Sequence, residues 1–178
     1  MVLTGKEIIE QVKKGNIHID NFDANKVNPN SYNLKLHNEL LVYKNNNVNL
    51  DPLDLKKNNP TEKILIPEDG LILFPNRIYL GRTVEFTKTH GFVPQIEGRS
   101  SIGRLGLDIH KTAGWGDDGF ENYWTLEIVA TQPVIVYPFV EICQIIYMKV
   151  YGDNSIKYNG KYQRTESIDG SKIYQEFQ

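Results

Sequence analysis

From residue 62 onward the chain is a succession of short apolar runs, at 63–66, 71–74, 78–80, 84–86 and 92–96, resumed at 124–130, 133–137 and 142–150. Glycine, proline and asparagine separate them about every eight residues. Short runs so regularly punctuated read as strands. The pattern predicts an all-β sandwich or closed barrel. It spans most of a 178-residue chain with ordinary globular composition, 40% apolar and 24% charged. A chain of this length buries roughly 70% of its unfolded surface, so one domain over 1–178 needs no disulfide or metal to hold it.

Ahead of the β region, residues 4–14 predict the one clear helix. Thr4 and Glu7 have the spacing of a capping box, and Ile8, Ile9 and Val12 share a face before Gly15 stops the helix. Residues 16–30 read as a polar loop. Residues 31–37 alternate, with Tyr32, Leu34 and Leu36 on one side, and predict a strand. A second short strand is expected at 40–43, a turn at 45–47 and a long surface loop over 49–61. The polar tail from residue 151 reads either as a lid over a site or as a frayed end.

The totals exclude several classes of function. A net charge of −2 gives no broad basic surface for nucleic acid or membrane. No apolar run reaches the length of a membrane span, and the N-terminus has no signal-peptide core. Cys143 is the single cysteine and sits in the apolar run Ile142-Cys143-Gln144-Ile145-Ile146, which predicts a core position and a cytoplasmic setting. Zinc chemistry is excluded on the same count. His37-Asn38-Glu39 matches His-x-Glu, but the zinc deaminase pattern also needs Pro-Cys-x-x-Cys, and His90 and His110 show no ligand spacing.

Chemistry-bearing residues concentrate between 97 and 127. Glu97-Gly98-Arg99-Ser100-Ser101-Ile102-Gly103-Arg104-Leu105-Gly106-Leu107 predicts one short helical turn, with Ser100 and Ser101 at its start and Gly106 at its stop. Such a turn puts Ser100 and Arg104 on one face, and its free amides with Arg99 and Arg104 suit an anion. A capped surface turn with two solvated arginines fits the same residues. Neither the Walker spacing nor GxGxxG is present. In Trp124-Thr125-Leu126-Glu127-Ile128-Val129-Ala130, alternation sets Thr125, Glu127 and Val129 opposite Trp124, Leu126 and Ile128. Glu127 is then either an ordinary carboxylate on a wet sheet face or a partly desolvated one. Desolvation would raise its pKa and suit it to carry protons near neutral pH. Asp117 and Asp118, in a glycine-rich turn, read as turn formers or as partners of a sugar hydroxyl.

The stretch at 97–107 closely resembles the signature of the dCTP deaminases, relatives of the trimeric dUTPases. His110 through Asp117 and Thr125-Leu126-Glu127 continue the match, as do Leu3-Thr4-Gly5-Lys6-Glu7-Ile8, Asn30-Ser31-Tyr32, Gln144 and the tail from Tyr158 to Tyr162. The resemblance implies a distorted jelly-roll β-barrel with an N-terminal helix. It implies a homotrimer with sites shared between subunits, and Mg²⁺ carried on the triphosphate, with no metal held by protein side chains. It implies hydrolytic deamination at C4 of cytosine, with dCTP, dUTP and dTTP as the nucleotides met. By the same resemblance Glu127 is the general acid/base, and Ser100 and Arg104 position its water. Arg99, Ser101 and Arg104 reach the phosphates, with Ile102 and Gly103 in the same turn. Asp117 faces the deoxyribose. Ala113, Thr125 and Leu126 border the pyrimidine. Gln144, Tyr158 and Lys161 contact phosphate, and 151–178 closes as a lid.

Thr112-Ala113-Gly114-Trp115 resembles the group that also hydrolyses dUTP to dUMP and pyrophosphate. Members that stop at dUTP more often carry histidine and arginine at the positions of Gly114 and Trp115. Glycine there is expected to leave room for the water or loop geometry of the second step. The chain departs from the family pattern at Asn33, where aspartate is usual, and at His37, where glycine is. It departs again at Asp118, where proline is common, and at Thr165 and Ser167, where a glutamine and a glycine are expected. The function expected is dCTP deamination followed by dUTP hydrolysis. The alternatives are a dUTPase alone and a non-catalytic nucleotide-binding trimer.

Overall fold

The computed structural model describes residues 1–44, 52–153, 155–165 and 167–178. The turn expected at 45–47 and the first part of the 49–61 loop lie outside them. The helix α1 spans Gly5–Lys13. Thr4 caps it by accepting the Glu7 amide at 3.3 Å, the expected half of a capping box. The other half is diverted, because the Glu7 carboxylate accepts from Gln11 Nε2 at 2.6 Å. Ile8 is wholly buried and Val12 packs on the core, while Ile9 is half-buried.

Eleven strands follow among the described residues: β1 Ile17–Ile19, β2 Tyr32–Lys35, β3 Glu39–Tyr43, β4 Thr61–Leu65, β5 Leu71–Leu73, β6 Ile78–Thr89, β7 Phe92–Gly98, β8 Leu107–Asp108, β9 Glu121–Ala130, β10 Val134–Val136 and β11 Glu141–Lys149. The largest sheet runs β4-β3-β6-β9-β8, with β1 also paired to β6. A second runs β2-β11-β7, and β10 pairs with β5. All ladders are antiparallel. The sheets enclose one main apolar core, which makes this the mainly β, jelly-roll-like fold that the strand rhythm and the resemblance predict.

Two expectations need correction. Residues 16–30 are not all loop. Ile17 and Ile19 bury their side chains and pair with Thr89 and Thr87, and Ala24–Lys26 forms a 3-10 turn. Two isoleucines among polar neighbours were too short a signal. The runs at 78–80 and 84–86 are one strand, β6. Its register to β9 shifts between Arg82 and Phe86, where Thr83 Oγ1 accepts from the Trp124 amide at 3.0 Å and donates to the Glu85 carbonyl at 2.9 Å. The polar residues that seem to break the run are a bulge with its own hydrogen bonds.

Strand β9 positions the site. Trp124, Leu126, Ile128 and Ala130 face the core at 0–4% exposure, while Thr125, Glu127 and Val129 face outward and are half-buried. Burying Leu126 alone contributes about 2–3 kcal/mol. Flipping the register would put all four apolar side chains in water, so the core fixes which way Glu127 points.

Candidate active site

The outward face of β9 forms the floor of a cavity of about 430 Å³, within the size range of small-molecule sites. Thr125 and Glu127 lie on that floor, beside Ile78 and Leu80 of β6 and Tyr43 of β3. The segment before β9 contributes His110, Ala113, Trp115 and Asp117. The tail contributes Tyr158, Tyr162, Thr165 and residues 169–171. Five of the residues expected in the site thus come together: Ala113, Asp117, Thr125, Glu127 and Tyr158.

Glu127 is held by three donors. Its Oε2 lies 3.3 Å from His110 Nδ1, 3.2 Å from the Lys111 amide and 3.4 Å from the Thr112 amide. With the ring proton on Nδ1, the imidazole donates to the carboxylate. The His110 hydrogen bond is the largest influence on this carboxyl and holds its pKa below the ordinary 4.5. Burial pulls upward, and the His110 charge and the two amides add to the lowering. Of the two readings left open for Glu127, the raised pKa of a desolvated carboxylate is not the outcome. Desolvation does act here, but donors stabilise the ionised form more. Glu127 is therefore a carboxylate at neutral pH.

The 112–116 loop is stitched to β7. The Gly114 carbonyl accepts from the Ile96 amide at 2.7 Å, the Gly116 amide donates to the Pro94 carbonyl at 2.8 Å, and Trp115 bridges to Gln95. A Cβ on Gly114 would stand 2.5 Å from the Ile96 carbonyl oxygen. The glycine thus serves close backbone approach to β7. Asp117 is exposed at the cavity wall. Asp118 is buried, accepts the Gly91 amide through both oxygens at 2.9–3.0 Å and pairs with Lys157 Nζ at 2.8 Å. A carboxylate at a position where proline is common thus ties the tail to the body.

The phosphate-like turn lies elsewhere. Helix α2, Ser100–Gly103, has Arg99 as its N-cap, with no side-chain cap bond, so neither serine caps it. Gly106 follows at φ +84° as the expected stop. Ser100, Ser101, Gly103 and Arg104 are exposed, and Ile102 packs inward. Arg99 donates to the Glu141 carbonyl at 2.7 Å and lies 3.5 Å from its carboxylate. Gln144 donates to the Gly98 carbonyl at 2.9 Å and accepts from Ser31 Oγ at 2.6 Å. None of Arg99, Ser100, Ser101, Ile102, Gly103, Arg104 or Gln144 lines the cavity of the same chain. Leu126 points into the core, so only its main chain can border a ligand. Lys161 pairs with the Glu176 carboxylate instead of lining the cavity. Among the described residues that line the cavity there is no lysine or arginine, while three carboxylates, Asp117, Glu127 and Asp169, do line it.

Two departures from the family pattern find partners. Asn33 donates to Glu141 Oε2 at 2.9 Å and accepts from Asn28 Nδ2 at 2.7 Å, and His37 Nε2 meets the Arg82 guanidinium at 2.9 Å. Sequence reasoning missed His110 as the partner of Glu127, seventeen positions away by no regular spacing. It also missed Asn122, Phe120 and Tyr43, and of the expected lid segment it did not single out 169–171. Asn122 did carry a signal, as a polar residue at a core-facing position of an alternating strand.

The family of dCTP deaminase-like proteins matches residues 2–150. A protein of Clostridium beijerinckii called dCTP deaminase, dUMP-forming, is 57% identical over 178 residues, covering 100% of this chain and 99% of that one. Proteins given the same name in Hathewaya histolytica and Cytophaga hutchinsonii are 52% and 51% identical over the same length, covering 100% and 99% of those chains. The crystal structure of 2'-deoxycytidine 5'-triphosphate deaminase from Agrobacterium tumefaciens superposes with a TM-score of 0.63 at 16% identity, over 82% of this chain and 47% of that one. This chain belongs to the dCTP deaminase-like family.

Proposed function

We propose that this protein is a hydrolase that converts dCTP to dUMP, as the names of its relatives describe. The observation that carries the proposal is the ionised Glu127 on the floor of a nucleoside-sized cavity, aligned by His110 and two amides. The carboxylate takes a proton from water as the water oxygen bonds to C4 of the cytosine. It returns that proton to N3 and relays the proton of the new C4 hydroxyl to the amine, so that the C4 carbonyl forms as the C4–N bond breaks and ammonia leaves. The product base is uracil. A second water then attacks the α-phosphorus of dUTP, and diphosphate leaves with its Mg²⁺, which enters as part of the substrate. A positioned proton carrier of this kind supplies about 10²- to 10⁴-fold.

The cavity does not explain the triphosphate. Its carboxylates repel phosphate, and no cation lines it among the described residues. In the same chain Ser100, Ser101 and Arg104 are exposed to solvent. A homotrimer answers both facts. Each cavity receives the 99–104 turn of a neighbour, whose arginines and free amides hold the phosphates, with Gln144 alongside. Residues 151–178 act as a lid, and the setting is cytoplasmic, where nucleoside triphosphates are.

The test is to incubate the purified protein with dCTP and Mg²⁺ and resolve ammonia, dUTP, dUMP and diphosphate. Ammonia and dUMP in equal amounts are expected. Ammonia with accumulating dUTP would remove the second step, and dUTP hydrolysis without ammonia release from dCTP would overturn the deaminase reading.

A further inference from the structure

Strand β11 breaks its own alternation. Ile142 and Cys143 are both wholly buried, and the register to β2 shifts between Glu141 and Cys143. A bulge re-aims the side chains around it. Here Glu141 and Gln144, which strict alternation would set on opposite faces, both reach the end of β7, at Arg99 and Gly98. Two hydrogen-bonded branches lead there from Asn28. In one, Asn28 Nδ2 donates to Asn33 Oδ1 at 2.7 Å, Asn33 Nδ2 donates to Glu141 Oε2 at 2.9 Å, and that oxygen lies 3.5 Å from Arg99 Nη1. In the other, Asn28 Nδ2 donates to Ser31 Oγ at 3.0 Å, Ser31 Oγ donates to Gln144 Oε1 at 2.6 Å, and Gln144 Nε2 donates to the Gly98 carbonyl at 2.9 Å.

Ser31 and Asn33 are buried, so their polar atoms depend on these partners. The network is also directional. The Asn33 oxygen is taken by the Asn28 amide, which leaves its nitrogen to face the Glu141 carboxylate. Arg99, at the far end, opens the 99–104 turn. Its Nη1 donates to the Glu141 carbonyl at 2.7 Å beside the carboxylate contact. The rest of the guanidinium has no bond to another described residue, and the side chain is 34% exposed. One edge of the fork is thus fixed and the other is open, which suits a phosphate held by two parallel hydrogen bonds.

We infer that Asn33 is a positioning residue for nucleotide binding: it fixes the Glu141 carboxylate, which in turn holds Arg99 with its open edge presented to the triphosphate. This rests on the proposed reading of the 99–104 turn as the phosphate site. The amide at 33 matters here, and polarity alone does not suffice. A carboxylate at that position would stand about as close to Glu141 Oε2 as the amide nitrogen does now, at 2.9 Å. Two like charges at that distance repel. Glu141 would turn away and release Arg99. Adding Glu141→Gln to Asn33→Asp puts the donor on the other side of the same contact and restores it.

The experiment measures ammonia release from dCTP by wild type, Asn33→Asp and the double variant Asn33→Asp/Glu141→Gln, with circular dichroism to establish that each is folded. Asn33→Asp should raise KM about tenfold or more, the loss of one charge-assisted hydrogen bond. Its kcat should hold, because a phosphate contact far from C4 acts equally on ground and transition states. The double variant should return KM to within about threefold of wild type, since the two changes share one contact. A folded Asn33→Asp protein with wild-type KM would overturn the inference, as would a folded double variant no better than the single one. If Asn33→Asp does not fold, Asn33→Ala decides. It removes the donor without adding charge and should raise KM about fivefold; a wild-type KM would overturn the inference. If wild type releases no ammonia, calorimetric binding of inorganic triphosphate with Mg²⁺ decides instead. Weaker binding by Asn33→Asp with recovery in the double variant would keep the inference and overturn only the proposed reaction. Equal binding by all three proteins, or none by wild type, would overturn the inference itself.

Discussion

Replacing Gly114 with alanine tests how tightly the 112–116 loop depends on its contact with β7. The new Cβ would stand 2.5 Å from the Ile96 carbonyl oxygen, about 0.9 Å inside ordinary van der Waals contact at 3.4 Å. That oxygen cannot swing away, because Ile96 is fixed in the β7 to β11 ladder opposite Ile145. The loop must retreat instead. Retreat stretches the bond from the Ile96 amide to the Gly114 carbonyl and strains the one from Gly116 to Pro94. One weakened hydrogen bond costs about 1 kcal/mol, and the overpacking adds about 1–3, so destabilisation of roughly 2–4 kcal/mol is expected. For a chain of this size that lowers Tm by on the order of 5–15 °C. The loop also carries Ala113, Trp115 and Asp117 into the cavity wall and the Thr112 amide to Glu127. A displacement near 1 Å at such a wall costs about 10²-fold in rate. Differential scanning calorimetry and the initial rate of ammonia release from dCTP, measured on the same preparation, read both effects. A Gly114→Ala protein with wild-type Tm and rate would refute the argument that this glycine is required by backbone approach.

Glu127→Gln keeps the size and the outward direction of the side chain, so its circular dichroism and its affinity for dCTP by calorimetry should match wild type. Turnover should fall about 10²- to 10⁴-fold. Wild-type-like turnover would remove Glu127 from the chemistry. His110→Ala deletes the main cause of the lowered Glu127 pKa, while burial still pushes it up. The acidic limb of kcat/KM should therefore move to higher pH, and an unmoved limb would contradict the pairing. The same contact affects folding. Because the folded pKa lies below the ordinary 4.5, its stabilisation is full above that value and is lost as pH falls through the folded one. Acid unfolding of His110→Ala should lack this component when compared with wild type. Leu126→Ala empties a wholly buried position and should cost about 2–5 kcal/mol in urea unfolding. A loss under 1 kcal/mol would mean that this part of the β9 core is not packed as described.

The sequence carried the fold wherever apolar period and turn residues agreed. The alternation of β9, the Thr4 cap and the burial of Tyr32, Leu34 and Leu36 are local facts, and each is visible within a few residues. Boundaries failed where a polar contact replaced the apolar signal. Thr83 made a continuous β6 look like two runs, and β1 was too short to show a period. The site divided in the same way. Its residue types were legible in the 97–127 stretch. Their electrostatics were not, because the charge state of Glu127 depends on a histidine and two amides that only the folded chain brings to it. Residue spacing likewise said nothing of the separation between the 99–104 turn and the cavity. The turn follows β7 in one sheet while the cavity floor is β9 of another, and the proposed neighbouring copy is a response to that separation.

The most direct measurement is to mix two variants, Glu127→Gln and Arg104→Ala, each inactive alone. They are unfolded together, refolded and assayed for ammonia release from dCTP. If each site draws Glu127 from one copy and Arg104 from the next, random mixed trimers restore intact sites, and activity returns to about a quarter of wild type. If both residues served a site within one chain, every subunit would carry a defect, and the mixture would stay as inactive as its parts.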